Sequence, residues 1–87
     1  MAFDITREVQ NIILSERPFP VLHHVITARV REAAKAAFDV AAHDKNLFRK
    51  VDYALRKLQK AGLITPAPKQ QGWMTTIKGL PAPAGGN

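Results

Sequence analysis

The sequence predicts a small, mainly α-helical domain of three helices followed by a β-hairpin. Three segments between residues 4 and 61 place apolar residues at the spacing of one helix face. After them, residues 63–79 combine short apolar runs with a turn-rich stretch, as a hairpin does. The chain has 87 residues, which suffices for one hydrophobic core but not for two. We therefore expect one domain over residues 1–79 and a flexible tail over residues 80–87.

Helix one is predicted over residues 4–15. Asp4 is a residue type that caps helices, and Ile5 and Val9 begin an apolar stripe with helical spacing. Residues 17–20 contain two prolines, which lack the backbone donor that a helix interior needs. The helix is therefore expected to end before them.

Helix two is predicted over residues 20–38. Its first part, residues 21–26, also has the composition of a strand, and this alternative stays open. Pro20 favours the helix, because proline is common in the first helical turn. From Ala28 to Phe38 an alanine-rich stripe keeps the helical period, which indicates close packing.

Helix three is predicted over residues 46–61 and has the clearest helical pattern in the chain. An irregular turn at residues 39–46 precedes it. Gly62 supplies the left-handed stop that commonly ends a helix. Six basic and two acidic residues between positions 44 and 60 give this segment a net charge of +4, out of +6 for the chain. The apolar stripe comprises Leu47, Phe48, Val51, Ala54, Leu55, Leu58 and Ala61. The opposite face carries Arg49, Lys50, Asp52, Tyr53, Arg56, Lys57 and Lys60.

The predicted hairpin occupies residues 63–79. Its strands are residues 63–65 and 73–77, joined by a stretch rich in proline, glutamine and glycine. A two-stranded ribbon is barely stable alone in water, so it must pack against the helices. Trp73 is the natural anchor because of its size.

Two stretches resemble winged helix-turn-helix transcription regulators of the small bacterial and phage type. Residues 51–64, Val-Asp-Tyr-Ala-Leu-Arg-Lys-Leu-Gln-Lys-Ala-Gly-Leu-Ile, are similar to the end of their recognition helix and the first wing strand. Residues 73–79, Trp-Met-Thr-Thr-Ile-Lys-Gly, are similar to their second wing strand and its Thr-x-x-Gly exit. The resemblance covers residues 28–79. It implies that residues 46–61 enter the major groove of double-stranded DNA, with a wing at residues 66–72 on the backbone.

The resemblance also assigns DNA contacts to individual side chains. Arg49 and Arg56 are expected to read guanine, and the lysines of the same face to neutralise phosphates. Asp52 is expected either to read cytosine or to pair with Arg56, and the ion pair is the favoured interpretation. The assigned residues are Arg49, Lys50, Asp52, Tyr53, Arg56, Lys57 and Lys60 in the helix and Lys69, Gln70 and Gln71 in the wing. Two features depart from the family pattern: a longer connection before helix three and a wing tip with one basic residue.

No catalytic, cofactor-binding or metal site is predicted. His23 and His24 are adjacent, no carboxylate follows at the spacing of a metal motif, and the chain has no cysteine. There is no nucleophile elbow and no phosphate-binding glycine loop. We therefore expect a protein that is not an enzyme and takes no small-molecule substrate. Without an export signal or a membrane-length apolar run, a cytoplasmic, nucleoid-associated location without membrane contact is expected.

A protein-interaction adaptor is the alternative function, because winged helices serve both purposes. It would dock a partner through the exposed face of helix three or through Phe19, Val21 and Leu22. The clustered positive charge favours DNA, since each neutralised phosphate releases condensed counterions. The resemblance further implies a homodimer on two half-sites, with helix one as an added interface.

Overall fold

The computed structural model describes residues 3–80, and within them three α-helices come first in the chain. They are α1 (Ile5–Glu16), α2 (His23–Ala36) and α3 (Leu47–Lys60). A single turn of 3-10 helix, Val40–His43, lies in the connection between α2 and α3. The predicted helices one and three are confirmed to within one residue at each end. The predicted tail comprises residues 80–87, and residues 81–87 of it lie outside the described part of the chain.

Two short strands follow the helices and form an antiparallel hairpin. They are β1 (Ile64–Pro66) and β2 (Trp73–Thr75), and Thr65 lies opposite Met74. A second 3-10 turn, Pro68–Gln70, occupies the loop between the strands. The predicted fold class, three helices and a small β-hairpin, is confirmed.

The prediction of helix two over residues 20–38 is wrong at both ends. Val21 is extended and pairs with Trp73 through two backbone hydrogen bonds of 2.8 Å, so α2 begins only at His23. Within residues 21–26, the strand interpretation is therefore right for Val21, and the helix interpretation is right from His23 onward. At the other end, Phe38 adopts a left-handed backbone conformation with φ of 54°, which ends α2.

One hydrophobic core lies where the three helices meet the hairpin. Trp73 packs against it, as predicted, and holds the hairpin on the helices. A smaller cluster of Ala34, Ala41 and Ala42 lets the 3-10 turn after α2 approach that helix closely. The buried residues of the main core are Val9, Ile12, Ile13, Val21, Ile26, Val30, Leu47, Val51, Ala54, Leu55, Leu58 and Ile64.

The end of α3 is bonded directly to the hairpin. Gly62, with φ of 80°, supplies the predicted stop, and the Leu63 N–H donates to the Leu58 carbonyl at 3.0 Å. The Thr76 hydroxyl donates to the Gly62 carbonyl at 2.6 Å and accepts from the Gly79 N–H at 3.1 Å. The two stretches that carry the family resemblance are thus joined by hydrogen bonds through Thr76.

Candidate nucleic-acid interface

One side of α3 is fixed in the core and the other is open to solvent. Leu47, Val51 and Leu55 are 0% exposed, so the helix cannot rotate without losing its packing. The opposite side, here called the basic face, holds every helix residue that the sequence assigns to DNA contact. All are exposed except Asp52, which is partly buried. The basic face consists of Arg49, Lys50, Asp52, Tyr53, Arg56, Lys57 and Lys60.

Asp52 and Arg56 form the ion pair that their spacing predicts. The Arg56 Nε donates to Asp52 Oδ2 at 2.9 Å, one helical turn apart. Within residues 3–80 the two terminal nitrogens of this guanidinium make no hydrogen bond. Asp52 therefore holds the Arg56 side chain at its base and leaves its outer donors available.

Lys50 has an acidic partner that the sequence pattern does not indicate. Its ammonium group bonds to Asp44, which lies in the turn before α3. Asp44 also accepts from the backbone N–H of Asn46 at 2.8 Å. The hydrogen bond from Lys50 first, and that from Asn46 second, lower the pKa of the Asp44 carboxyl. Lys50 thus presents less free charge than Arg49, Lys57 and Lys60 on the basic face.

Tyr53 stands in the middle of the basic face as a ridge between two shallow hollows. Its side chain is 72% exposed. One hollow, of about 490 Å³, lies towards the start of α1 and is bordered by Ile5, Arg49 and Lys50. The other, of about 340 Å³, is bordered by Arg56, Lys57 and Lys60. Basic side chains therefore line both sides of the phenol.

The start of α3 is held by a contact that the sequence does not reveal. The ring of His23 stacks on that of Phe48, with centroids 3.8 Å apart and planes 14° from parallel. The His23 Nε2 also lies 3.2 Å from the Phe48 carbonyl oxygen. The sequence places Phe48 and Ala61 on the core-facing apolar stripe of helix three. For both residues this is wrong, because Phe48 is 53% exposed and Ala61 is exposed at the helix end.

The hairpin loop presents Lys69, Gln70 and Gln71 together at its exposed tip. The Ala67 N–H donates to the Gly72 carbonyl at 2.7 Å and closes the loop. Lys69 and Gln70 have φ of 58° and 56°, so two consecutive residues with side chains adopt the left-handed conformation. The predicted wing residues thus lie side by side at the tip of the hairpin.

Two further structural findings concern other classes of site. In the described range 3–80, no three His, Asp or Glu side chains lie close enough together to hold a metal ion. Across the same residues, every helix is too short or too polar to cross a membrane.

Comparison with known protein families, with characterised proteins and with solved structures gives no match to this chain. The likeness to winged helix regulators therefore remains a resemblance carried by residues 51–64 and 73–79. A function for this chain has to be argued from its own basic face and hairpin.

Proposed function

We propose that the protein binds double-stranded DNA as a small transcriptional regulator, with α3 in the major groove and the hairpin loop against the backbone. The observation that carries this proposal is the basic face of α3, whose reverse side is locked in the core. An α-helix fits the major groove, and a helix fixed in this way presents its outer side chains in a defined orientation.

In this proposal, the cations of α3 that have no acidic partner supply the affinity for DNA. Among residues 3–80, Arg49, Lys57 and Lys60 have no acidic partner, whereas Lys50 and Arg56 are paired. Unpaired cations on one face attract a polyanion, and phosphate neutralisation dominates non-specific binding. Lys69 adds one further positive charge at the tip of the hairpin, where the resemblance places a backbone contact.

Arg56 is the best placed side chain for reading a base. Guanine presents two acceptors in the major groove, and an arginine reads them with a pair of parallel N–H donors. Because Asp52 occupies the Arg56 Nε, the two terminal nitrogens remain as that donor pair. In this proposal Asp52 positions the Arg56 side chain. It does not contact cytosine, which is the other role that its charge allows.

The test measures binding of a fluorescent random-sequence duplex at several salt concentrations. Lys57→Gln should weaken binding and reduce the slope of log affinity against log salt by about one. Arg7→Gln on α1 is the matched control, because it removes one exposed charge from a different helix, and it should leave the slope unchanged. Equal effects of both changes, or no binding of duplex at low salt, would refute the proposal.

An adaptor that binds another protein is the second candidate. It is favoured by Phe19 and Leu22, which are 68% and 41% exposed in the segment before α2. Val21, which the sequence groups with them, is buried at 4% exposure and is not available to a partner. Absence of duplex binding together with capture of a partner that Phe19→Ser abolishes would favour this function over DNA binding.

A further inference from the structure

Two helices of this protein end in the same hydrogen-bonded motif, but with different residues at the critical position. At the end of α3, Gly62 has φ of 80° and its N–H donates to the Gln59 carbonyl at 2.9 Å. At the end of α2, Phe38 has φ of 54° and its N–H donates to the Lys35 carbonyl at 3.1 Å. Glycine adopts this conformation without steric cost, and phenylalanine does not. The helix ending alone therefore does not account for a phenyl group at position 38.

The Phe38 side chain has almost no contact with the rest of the described chain. It is 96% exposed, and Val40, two residues later, is 85% exposed. A hollow of about 260 Å³ lies directly beside them, between Lys35 and His43. We call Phe38, Val40 and this hollow the Phe38 patch. A strained backbone that displays an apolar ring to solvent indicates a contact with another molecule.

We propose that the Phe38 patch binds the same patch on a second copy of this chain. A twofold interface requires a surface that is complementary to itself. The patch meets this requirement, because a projecting ring and a hollow lie side by side on one face. The hollow is shallow and open to solvent, and Phe38 itself forms one of its walls. In the proposed twofold arrangement, Phe38 of each copy lies against the hollow of the other.

The charges around the Phe38 patch also favour a second copy of the chain as its partner. The chain carries a net charge of +6, so two copies repel each other wherever basic faces meet. The rim of the patch instead carries Lys35 and Asp39, and Glu32 pairs with Lys35 at 3.2 Å. This surface has no excess of positive charge, and it offers Lys35 of one copy an acidic partner in Asp39 of the other. The outward positions of α1, such as Arg7 and Asn11, offer no comparable apolar surface.

The proposal is tested by sedimentation equilibrium of the full chain from micromolar to millimolar concentration. Wild type should show a monomer–dimer equilibrium, and Phe38→Gly should raise the dimer dissociation constant by about tenfold or more. Glycine removes the ring and relieves the left-handed strain, so this variant should fold at least as well as wild type. Phe19→Ser, which changes another exposed phenylalanine, is the control and should dimerise like wild type.

A second variant tests the surface independently of position 38. Val40→Asp adds a charge to an exposed site in the same patch and should weaken the dimer by a similar factor. A wild type that stays monomeric over the whole concentration range would overturn the proposal, as would a Phe38→Gly variant that dimerises normally. The measurement uses no DNA, so its result is separate from that of the duplex titration.

Discussion

Gly72 lies where the hairpin loop passes the backbone of Val21. A Cβ at this position would come within 2.2 Å of the Val21 carbonyl oxygen, and the glycine has φ of 111°. A side chain here would strain the loop and push apart the pairing between Val21 and Trp73. That pairing attaches the hairpin to the segment before α2.

We therefore expect Gly72→Ala to lower the free energy of unfolding by more than about 2 kcal/mol, from strain and displaced backbone together. Gly62→Ala is the matched control. It has φ of 80°, but a Cβ there meets only the flexible Lys78 side chain at 3.4 Å. It should lower the free energy of unfolding by about 1 kcal/mol, because only the left-handed conformation opposes the alanine side chain. Urea denaturation measures both values, and equal losses would show that the close approach to Val21 is unimportant.

At the scale of elements, Thr76 couples the hairpin to α3. Its hydroxyl bonds to the Gly62 carbonyl and to the Gly79 N–H, so one side chain spans the end of the helix and the exit of the second strand. This gives a physical reason for the Thr-x-x-Gly pattern in residues 76–79. The threonine is a connector between two elements rather than a part of either.

Thr76→Val keeps the shape of the side chain and removes both hydrogen bonds. We expect it to lower the free energy of unfolding by about 1–3 kcal/mol, because the partly buried Gly62 carbonyl loses its donor. The Gly79 N–H keeps its second bond, to the Thr76 carbonyl at 3.0 Å. Thr65→Val is the control, since Thr65 is exposed on β1 and its hydroxyl makes no hydrogen bond within residues 3–80. Calorimetric melting of both variants is the measurement, and a Thr76→Val protein as stable as the control would contradict the coupling role.

The elements differ in how far the sequence predicts them, for physical reasons. The α3 helix follows from a local signal, since its apolar stripe and Gly62 lie within one short segment. The start of α2 does not, because it depends on Val21 meeting Trp73 across 52 positions of sequence. The local composition at Val21 suits either a helix or a strand, and the long-range pairing with Trp73 decides for the extended conformation.

The same distinction holds for the candidate site. The pair of Asp52 and Arg56 is predictable, because residues four apart on a helix are neighbours. The partner of Lys50 is not, since Asp44 reaches it only through the geometry of the turn before α3. The stacking of His23 on Phe48 likewise depends on how α2 and α3 pack, and no local spacing indicates it.

At the scale of the whole molecule, the two proposed surfaces belong to one rigid framework. The basic face is fixed because α3 is packed in the core. The backbone of Phe38 is held because it ends α2, which contributes Ile26 and Val30 to the same core. A dimer formed through the Phe38 patch would therefore hold two α3 helices at a set separation. Both proposals together imply two DNA half-sites with a constant spacing.

This framework should unfold as a single unit. Every helix and β1 contribute to one cluster of buried residues, and Trp73 of β2 packs against it. Small single-core domains usually unfold in one cooperative transition. Trp73 is the sole tryptophan of the chain, so its fluorescence reports on the hairpin, whereas far-UV circular dichroism reports on the helices.

We expect the two signals to give the same urea midpoint and the same slope, because the hairpin has no stability apart from the helices. Gly72→Ala should shift both midpoints downward by the same amount, since it weakens the attachment and the core together. A fluorescence transition at lower urea than the helical one would mean that the hairpin detaches first. The loop would then be a mobile arm on a stable three-helix body, and its orientation towards DNA would not be fixed by the fold.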